Sequence, residues 1–220
     1  MTYVDHKYAE ALRDAFHYMY RDEVLALKML VRQLRKANPV IVNIGAGAGT
    51  SGLAILEARP DSYLITIDIT AESSPHGCLY GEEQELRKAG LWGLGRNHQV
   101  HNDSRRVGRN WAGKVDMVFV DGDHSYEGCC NDIEAWLPKI ADGGIIAVHD
   151  YKKHLVPVTQ DGPHPKPWPG VDEAVDVSLL HRFQCILYID SLIAFRIGEV
   201  PTHTIDTQEY PDLPSFNPSY

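Results

Sequence analysis

Cysteine is scarce in this chain of 220 residues, and its four cysteines form no recognisable pattern. None belongs to a C-x-x-C pair, so the sequence offers neither the ligand spacing of a zinc site nor a disulfide framework. They are Cys78, Cys129, Cys130 and Cys185. We therefore expect reduced thiols and a cytoplasmic protein.

The sequence also lacks long hydrophobic runs and an excess of basic residues. No apolar run approaches the ~18 residues that indicate a membrane-spanning helix, and Met1 to Glu10 contain no apolar core of a signal peptide. The chain has 30 acidic and 21 basic residues and a formal net charge of −9, whereas a nucleic-acid-binding surface is usually basic. These absences predict a protein with neither a membrane nor a nucleic acid as its partner.

What the sequence does contain is an alternation of strand-like and helix-like segments. Apolar residues recur at three- and four-residue steps over residues 5–36, which predicts a helical N-terminal segment over 1–38. The predicted strands that follow are 40–44, 63–68, 99–101, 115–120 and 145–148, and the predicted helices are 50–58, 81–89, 126–137 and 171–180. Segments 183–188 and 192–197 predict a hairpin. The alternation predicts an α/β fold with a Rossmann-like, doubly wound sheet that is mostly parallel, with an antiparallel last strand.

Polar residues follow the apolar strands at the points where parallel strands would end. Asp68 ends one strand, Asp121-Gly122-Asp123-His124 follows another, and His149-Asp150 follows a third. Ligands of open parallel sheets bind outside the carboxyl ends of the strands. We therefore expect these side chains to form one site.

A glycine-rich loop follows the first predicted strand. Gly45, Gly47 and Gly49 allow the backbone to turn sharply and to approach a ligand closely. Asp68, at the end of the second strand, can accept hydrogen bonds from the two hydroxyls of a ribose. The pattern fits a nicotinamide cofactor as well as S-adenosylmethionine. The final hairpin favours the latter, and so does the lack of a Tyr-x-x-x-Lys pair beyond Tyr3/Lys7, which precedes the loop.

Three segments carry a resemblance to a known family. Residues 42–51, VNIGAGAGTS, resemble motif I of class I S-adenosylmethionine-dependent methyltransferases. Residues 115–128, VDMVFVDGDHSYEG, and 143–151, GGIIAVHDY, resemble a subgroup with macrocin-type sugar O-methyltransferases and cephalosporin-hydroxylase-like proteins. The resemblance covers roughly residues 38–198 and implies a seven-stranded sheet. It implies a methyltransferase domain over 39–198, between the helical segment 1–38 and a Pro-rich tail over 199–220.

The resemblance also implies a set of residues around the cofactor. The implied cofactor-binding residues are Asn43, Gly45, Ala46, Gly47, Gly49, Asp68, Asp103, Ser104 and Asp121. Among them, Asp68 would hold the ribose, and Asp103 and Ser104 would approach the adenine. The family usually has Asp or Glu where this chain has Asn43, whose amide accepts a hydrogen bond but carries no charge. We therefore expect weaker cofactor binding at this position.

The acidic residues at the strand ends predict a metal site and a base. Carboxylates brought together repel each other unless a cation or a proton intervenes. The resemblance implies that Asp121 and Asp150 hold a divalent metal, and we add their neighbour His149 to the set, which permits Mg²⁺ or the softer Mn²⁺. A metal would lower the pKa of an acceptor hydroxyl. We expect His124 to remove its proton, with Asp123 as second choice, because the ordinary pKa of histidine lies near neutrality.

The sequence thus predicts an S-adenosylmethionine-dependent O-methyltransferase acting on a small hydroxylated molecule, with a sugar or glycosylated metabolite favoured by resemblance. Two alternatives stay open: a nicotinamide-dependent oxidoreductase, and a cofactor-binding accessory protein without turnover. The apolar stripe of the N-terminal helical segment also predicts a homo-oligomer, because such a stripe must be covered.

Overall fold

The computed structural model of this chain describes residues 19–71, 78–93, 95–153 and 168–198. The predicted helix before residue 19, most of the Pro-rich segment 152–170 and the tail 199–220 lie outside the described residues. The division of the chain at residues 38 and 198 therefore stays a prediction.

Seven strands form a single sheet, as predicted. They are β1 (Val40–Ile44), β2 (Tyr63–Asp68), β3 (Asn97–His101), β4 (Val115–Val120), β5 (Ile140–Val148), β6 (Gln184–Ile189) and β7 (Leu192–Arg196). Their order across the sheet is β3-β2-β1-β4-β5-β7-β6. The first five pair in parallel, and β7 runs antiparallel to both β5 and β6. The mostly parallel, Rossmann-like sheet with an antiparallel last strand is thereby confirmed.

Helices cover both faces of the sheet. They are α1 (Arg21–Arg32), α2 (Thr50–Ala58), α3 (Leu79–Lys88), α4 (Ser104–Asn110), α5 (Tyr126–Trp136) and α6 (Pro169–Val175), which continues into a π-helical turn, Asp176–Leu180. Apolar residues of α1, α2 and α3 share one core with one face of the sheet. Those of α5 and α6 share a second core with the other face, and Val107 of α4 packs against it.

Several elements begin or end a few residues away from the predicted bounds, and two differ more. Helix α4 was not expected, because its seven residues contain no apolar stripe. It forms because the Asp103 carboxylate accepts a hydrogen bond from the Arg105 amide at its N-terminus, and because Gly108 lies against Trp136. Strand β5 begins at Ile140, five residues before the strand predicted over 145–148. An irregularity in its pairing with β4, between Val115 and Met117, accommodates the extra residues.

The order of the strands reverses between β1 and β4, which is the topological switch point at which such sheets bind ligands. Backbone hydrogen bonds hold the strand ends together there. The Asp121 amide donates to the Ile44 carbonyl at 2.9 Å, and the His149 amide donates to the Val120 carbonyl at 3.0 Å. The residues that leave β1, β4 and β5 are therefore fixed side by side. None of the helices described here is long and apolar enough to cross a membrane.

Candidate cofactor and metal site

The glycine loop after β1 is pressed between β4 and α3. Gly45 has a φ of +90°, and a Cβ there would lie 2.0 Å from the Asp121 carbonyl oxygen. Gly49 has a φ of +89°, and its Cβ would lie 2.7 Å from the Cα of Glu82. At both positions a side chain is excluded, because φ is positive and because a Cβ would be too close to neighbouring atoms. The loop backbone is therefore free to approach a ligand at the start of α2.

Asp68, at the end of β2, points its carboxylate at this loop. One oxygen, Oδ2, accepts a hydrogen bond from the Ala46 amide at 2.8 Å, and Oδ1 accepts one from the Thr70 amide at 2.7 Å. The two amides fix the carboxylate beside the loop. This is the arrangement expected for a residue that accepts hydrogen bonds from a ribose, and that role stays a prediction.

A buried polar cluster lies beneath the loop and is built around Glu82 of α3. Its Oε1 accepts hydrogen bonds from the Thr66 hydroxyl at 2.7 Å and from Asn43 Nδ2 at 3.4 Å, while Oε2 accepts one from Gln99 Nε2 at 2.9 Å. Burial raises the pKa of Glu82 to about 7, although these hydrogen bonds act to lower it. Sequence reasoning missed Glu82. Its position four residues before the buried Leu86 was the available signal, since it puts a carboxyl group on the core face of the helix.

Asp103 and Ser104 lie at the N-terminus of α4 and already have partners. The Asp103 carboxylate pairs with the Arg105 guanidinium, whose Nε lies 2.9 Å from Oδ1, and this contact lowers the pKa of Asp103 to about 2. The Ser104 hydroxyl donates to the buried carboxylate of Asp132. Neither observation tests the predicted contact with adenine.

Asp121, His124 and Asp150 converge at the ends of β4 and β5. His124 Nε2 lies 3.1 Å from Asp150 Oδ2 and 3.5 Å from Asp121 Oδ1. Each of the three residues offers one ligand atom, and these atoms lie within 4.8 Å of one another. Burial alone would lower the pKa of His124, but the two carboxylates outweigh it and raise the pKa to about 9. The two carboxylates thus favour the protonated form of the His124 imidazole.

His149 stands behind this group and is bound on both of its nitrogens. Its Nδ1 lies 3.3 Å from Asp121 Oδ1 and 3.2 Å from Asp150 Oδ1, and its Nε2 lies 3.0 Å from Glu23 Oε2. Burial acts to lower the pKa of His149, yet the carboxylates of Asp121 and Glu23 raise it well above its usual value. The structure thus brings His149 to the predicted site, but as a buried link between carboxylates.

Glu23 was also missed by sequence reasoning. It lies on α1, is fully buried, and accepts hydrogen bonds from the Ser191 amide and hydroxyl at 2.8 and 2.6 Å. Its pKa is lowered, because His149 and these donors outweigh the effect of burial. A charged residue four positions before Leu27, on the apolar stripe of an amphipathic helix, was the signal that could have revealed it.

The backbone around Asp150 has an uncommon conformation. Asp150 has a φ of +65° and Lys152 a φ of +49°, both in the left-handed region that non-glycine residues rarely adopt. Lys153, itself buried, forms an ion pair with Asp150. Such conformations concentrate at functional sites, where surrounding contacts hold them.

Trp168 and Asp123 border the convergent group on its exposed side. The Trp168 ring stacks on His124 with centroids 4.5 Å apart, so this tryptophan contacts the site. Asp123 is exposed, and its Oδ1 accepts a hydrogen bond from the Ser125 amide at 2.9 Å. The Asp123 carboxylate thus lies at the start of α5, where a Cβ on Gly128 would come within 2.2 Å of its Oδ2.

The donor set fits a hard divalent cation. His124 Nε2 is a buried nitrogen that lies 3.1 and 3.5 Å from oxygens of the two carboxylates. Two carboxylate oxygens and an imidazole nitrogen are donors that Mg²⁺ or Mn²⁺ accepts. The convergence of these three side chains admits His124 as a ligand, a residue that the sequence had assigned to the base.

Comparison with known families agrees with this architecture. A family model described as a methyltransferase domain matches residues 42–151, from the glycine loop through the Asp150 turn. The chain belongs to this family. The chain is accordingly an S-adenosylmethionine-dependent methyltransferase domain, and the finer subgroup with the DGDHSYEG motif is not confirmed.

Individual relatives of this methyltransferase domain are distant. An uncharacterised protein of Acanthamoeba polyphaga mimivirus is 23% identical over 141 residues, which cover 58% of each chain. A solved structure from Corynebacterium glutamicum aligns with a TM-score of 0.66 and 19% identity over 92% of this chain and 94% of that one. CalS11, a TDP-rhamnose 3′-O-methyltransferase of calicheamicin biosynthesis, aligns with a TM-score of 0.59 and 19% identity over 89% and 87%. The chain spans little more than half the length of the mimiviral relative.

Proposed function

We propose that this methyltransferase domain transfers a methyl group from S-adenosylmethionine to a hydroxyl of a small molecule, with a sugar or glycosylated metabolite as the acceptor. The observation that carries the proposal is the glycine loop beside Asp68 at the same sheet edge as the Asp121, His124 and Asp150 group. That CalS11 is named as a sugar O-methyltransferase and shares the fold supports the acceptor class. S-adenosylmethionine, when bound, supplies a methyl carbon made electrophilic by the positive sulfur.

We propose that a divalent ion, Mg²⁺ or Mn²⁺, is held by Asp121, His124 and Asp150. The support is the convergence of their ligand atoms at the ends of β4 and β5. His149 has Glu23 on one nitrogen and the two carboxylates on the other, so we assign it to orienting Asp121 and Asp150. When bound, the ion supplies positive charge that lowers the pKa of an acceptor hydroxyl.

We propose Asp123 as the base and His124 as a ligand, which reverses the order of preference from the sequence. His124 is a ligand of the proposed ion, so its Nε2 is not free to accept a proton. Asp123 is exposed and directly precedes His124 in the chain. In the transfer, Asp123 takes the hydroxyl proton, and the acceptor oxygen bonds to the methyl carbon as the carbon–sulfur bond breaks, which leaves S-adenosylhomocysteine.

We also propose that the protein works in the reducing environment of the cytoplasm, because all four cysteines are free thiols. A homo-oligomer stays a prediction. The reason for it is that the apolar stripe of the N-terminal helical segment must be covered, and the structure weakens that reason. The apolar residues of α1 pack into the core that α1 shares with α2 and the sheet, so this part of the stripe is covered within one chain.

Calorimetric titration of S-adenosylhomocysteine, with Mg²⁺ and then with EDTA, tests the cofactor. We expect micromolar binding in both conditions, because the proposed ion faces the acceptor more than the cofactor. A matched titration with NADH tests the oxidoreductase alternative. Binding of NADH without binding of S-adenosylhomocysteine would overturn the proposal, and binding of neither would favour an accessory protein without turnover.

Electron paramagnetic resonance of Mn²⁺ tests the ligand set. We expect Asp150→Asn and His124→Ala to weaken Mn²⁺ binding by at least ~10-fold, since even residues behind a metal's ligands contribute about 10–100-fold to its affinity. Asp123→Asn is the matched control and should retain Mn²⁺ affinity while losing turnover. Unchanged Mn²⁺ binding in His124→Ala, together with loss in His149→Gln, would return the third ligand to His149.

A further inference from the structure

Helix α6 begins in direct contact with the turn that follows β4 and carries His124. Gly170 makes this contact, and a Cβ there would lie 2.4 Å from the Tyr126 amide nitrogen and 2.8 Å from the His124 carbonyl oxygen. Pro169 occupies the first position of the helix, where the fixed φ of proline is favourable. The absence of a side chain at residue 170 therefore allows the helix to start against this turn.

Trp168, the residue before the helix, stacks on the imidazole of His124. The ring centroids are 4.5 Å apart and the ring planes are inclined by 23°. The Trp168 carbonyl accepts hydrogen bonds from the Val171 and Asp172 amides at 2.9 and 3.2 Å, which anchor this residue to the first turn of α6. A stacked indole opposes rotation of the imidazole out of its plane. It therefore keeps the Nε2 edge of His124 turned toward Asp150, whose Oδ2 lies 3.1 Å away.

The same helix and its π-helical continuation bind the turn that carries Asp150. The Asp172 carboxylate accepts a hydrogen bond from the Lys152 amide. Asp176, four residues further along, accepts one from the Tyr151 hydroxyl at 2.8 Å. Lys152 has a φ of +49°, a conformation that a non-glycine residue keeps only where surrounding contacts hold it. The two carboxylates supply part of that support.

We propose that α6 positions the two halves of the candidate ion site relative to each other. Trp168 holds the His124 imidazole with Nε2 toward the carboxylates, and Asp172 holds the turn that presents Asp150. Both are positioning residues, because they act through other residues and are not among the converging ligands. Both lie outside the span 42–151 that the family model matches. The inference rests on the proposed function, since it needs the proposed divalent ion.

Electron paramagnetic resonance of Mn²⁺ tests the role of Trp168. We expect Trp168→Leu to weaken Mn²⁺ binding by about 10-fold, as for other residues that orient a metal's ligands. Trp168→Phe keeps a flat ring against the imidazole and should bind Mn²⁺ within ~3-fold of the wild type. Trp92→Leu is the control, because Trp92 lies beneath the Arg87 guanidinium and packs against the core on the other face of the sheet.

A spectroscopic signature separates positioning from a general loss of structure. A directly coordinated nitrogen modulates the electron spin echo of bound Mn²⁺, and His124 is the nitrogen ligand of the proposed set. We expect this modulation in the wild type and a weaker one in Trp168→Leu. The affinity of this variant for S-adenosylhomocysteine should change by less than ~2-fold, because the contacts of Trp168 given above do not involve the glycine loop.

Asp172 is tested by the same measurement of Mn²⁺ affinity. Asp172→Ala removes the acceptor of the Lys152 amide and should weaken Mn²⁺ binding by about 10-fold. Asp172→Asn keeps an acceptor oxygen and should stay within ~3-fold of the wild type. Glu173→Ala, at the exposed neighbouring position, is the matched control and should keep wild-type affinity. Thermal unfolding establishes that each variant is folded, and Asp172→Ala carries the test should Trp168→Leu not fold.

The outcomes separate the inference from the proposed function. Unchanged Mn²⁺ affinity in folded Trp168→Leu or Asp172→Ala would overturn the inference and leave the proposed ion in place. Equal losses of Mn²⁺ and S-adenosylhomocysteine binding would also overturn it, because α6 would then only stabilise the fold. Wild-type protein that binds no Mn²⁺, or binds it without the nitrogen modulation, would reject the proposed ligand set and the inference with it.

Discussion

At the scale of single residues, the buried surroundings of Glu82 change the pKa of its carboxyl group. Burial raises its pKa to about 7 from the ordinary glutamate value of 4.5. Between these values the folded chain keeps a proton that the unfolded chain releases. The free energy of unfolding therefore falls as the pH rises through this window and is level above it.

We predict that Glu82→Gln is more stable than the wild type at pH 8, by up to ~3 kcal/mol, and nearly equal to it at pH 4. The reason is that glutamine is neutral in both states at every pH. Urea denaturation at the two pH values measures the difference. Glu83→Gln is the control, because Glu83 forms an ion pair with Arg87 on the surface of the same helix and should change stability by less than ~1 kcal/mol. Equal effects of Glu82→Gln at both pH values would contradict the prediction.

At the scale of elements, each of the helices α2 and α3 contains one glycine, and the space around these two glycines differs. Gly52 lies within α2, where a Cβ would meet Glu82 Oε1 at 2.1 Å. Gly81 lies within α3, where the nearest atoms to a Cβ are the Gly47 carbonyl oxygen at 3.7 Å and Cys78 Sγ at 3.8 Å. The two helical glycines thus have opposite surroundings, one closed and one open.

We predict opposite effects for alanine at these two positions. Gly52→Ala should destabilise the fold by about 1–2 kcal/mol, because overpacking outweighs the gain in helix propensity. Gly81→Ala should stabilise it by about 0.5–1 kcal/mol, since only the propensity changes. Chemical denaturation measures both. Stabilisation by Gly52→Ala would show that Glu82 moves aside without cost.

Across the whole molecule, Glu23 ties distant parts of the chain to the site. It joins α1 to His149 after β5, 126 residues away, and to Ser191 between β6 and β7, 168 residues away. His149 in turn contacts Asp121 after β4. Glu23 and Ser191 both lie outside the span 42–151 that the family model covers. The support of the site therefore extends into segments on either side of that span.

We predict that Glu23→Ala costs about 3–5 kcal/mol of stability, because it removes one partner of a buried ion pair and leaves the Ser191 hydroxyl without its acceptor. Asp22→Ala, at the neighbouring position in the first turn of α1, is the matched control. It should cost no more than ~1 kcal/mol, the value of a carboxylate at a helix N-terminus. Urea denaturation distinguishes the two, and similar losses in both variants would contradict a specific role for Glu23.

The sequence by itself predicted the seven-stranded sheet and most of its helices, although not α4, and it predicted that polar strand ends would lie together. Strands β1, β2 and β4 begin and end as predicted, because continuous apolar runs specify buried parallel strands. Gly45 and Gly49 have the positive φ values that a sharp loop requires. Asp121 and Asp150 lie near each other because the carboxyl ends of neighbouring parallel strands meet at one edge.

Only the tertiary structure decided which partners these residues have. His124 and His149 have the same chemistry in the sequence, yet one converges with Asp121 and Asp150 while the other is enclosed between carboxylates. In the sequence, Glu23 and Glu82 look like ordinary glutamates of surface helices. In the fold, both are buried and accept several hydrogen bonds. The spacing of apolar residues shows which face of a helix or strand is buried. The protonation state of a side chain on that face, and its contacts, depend on which other residues cover it. That covering comes from residues distant in sequence, and only the folded chain brings them together.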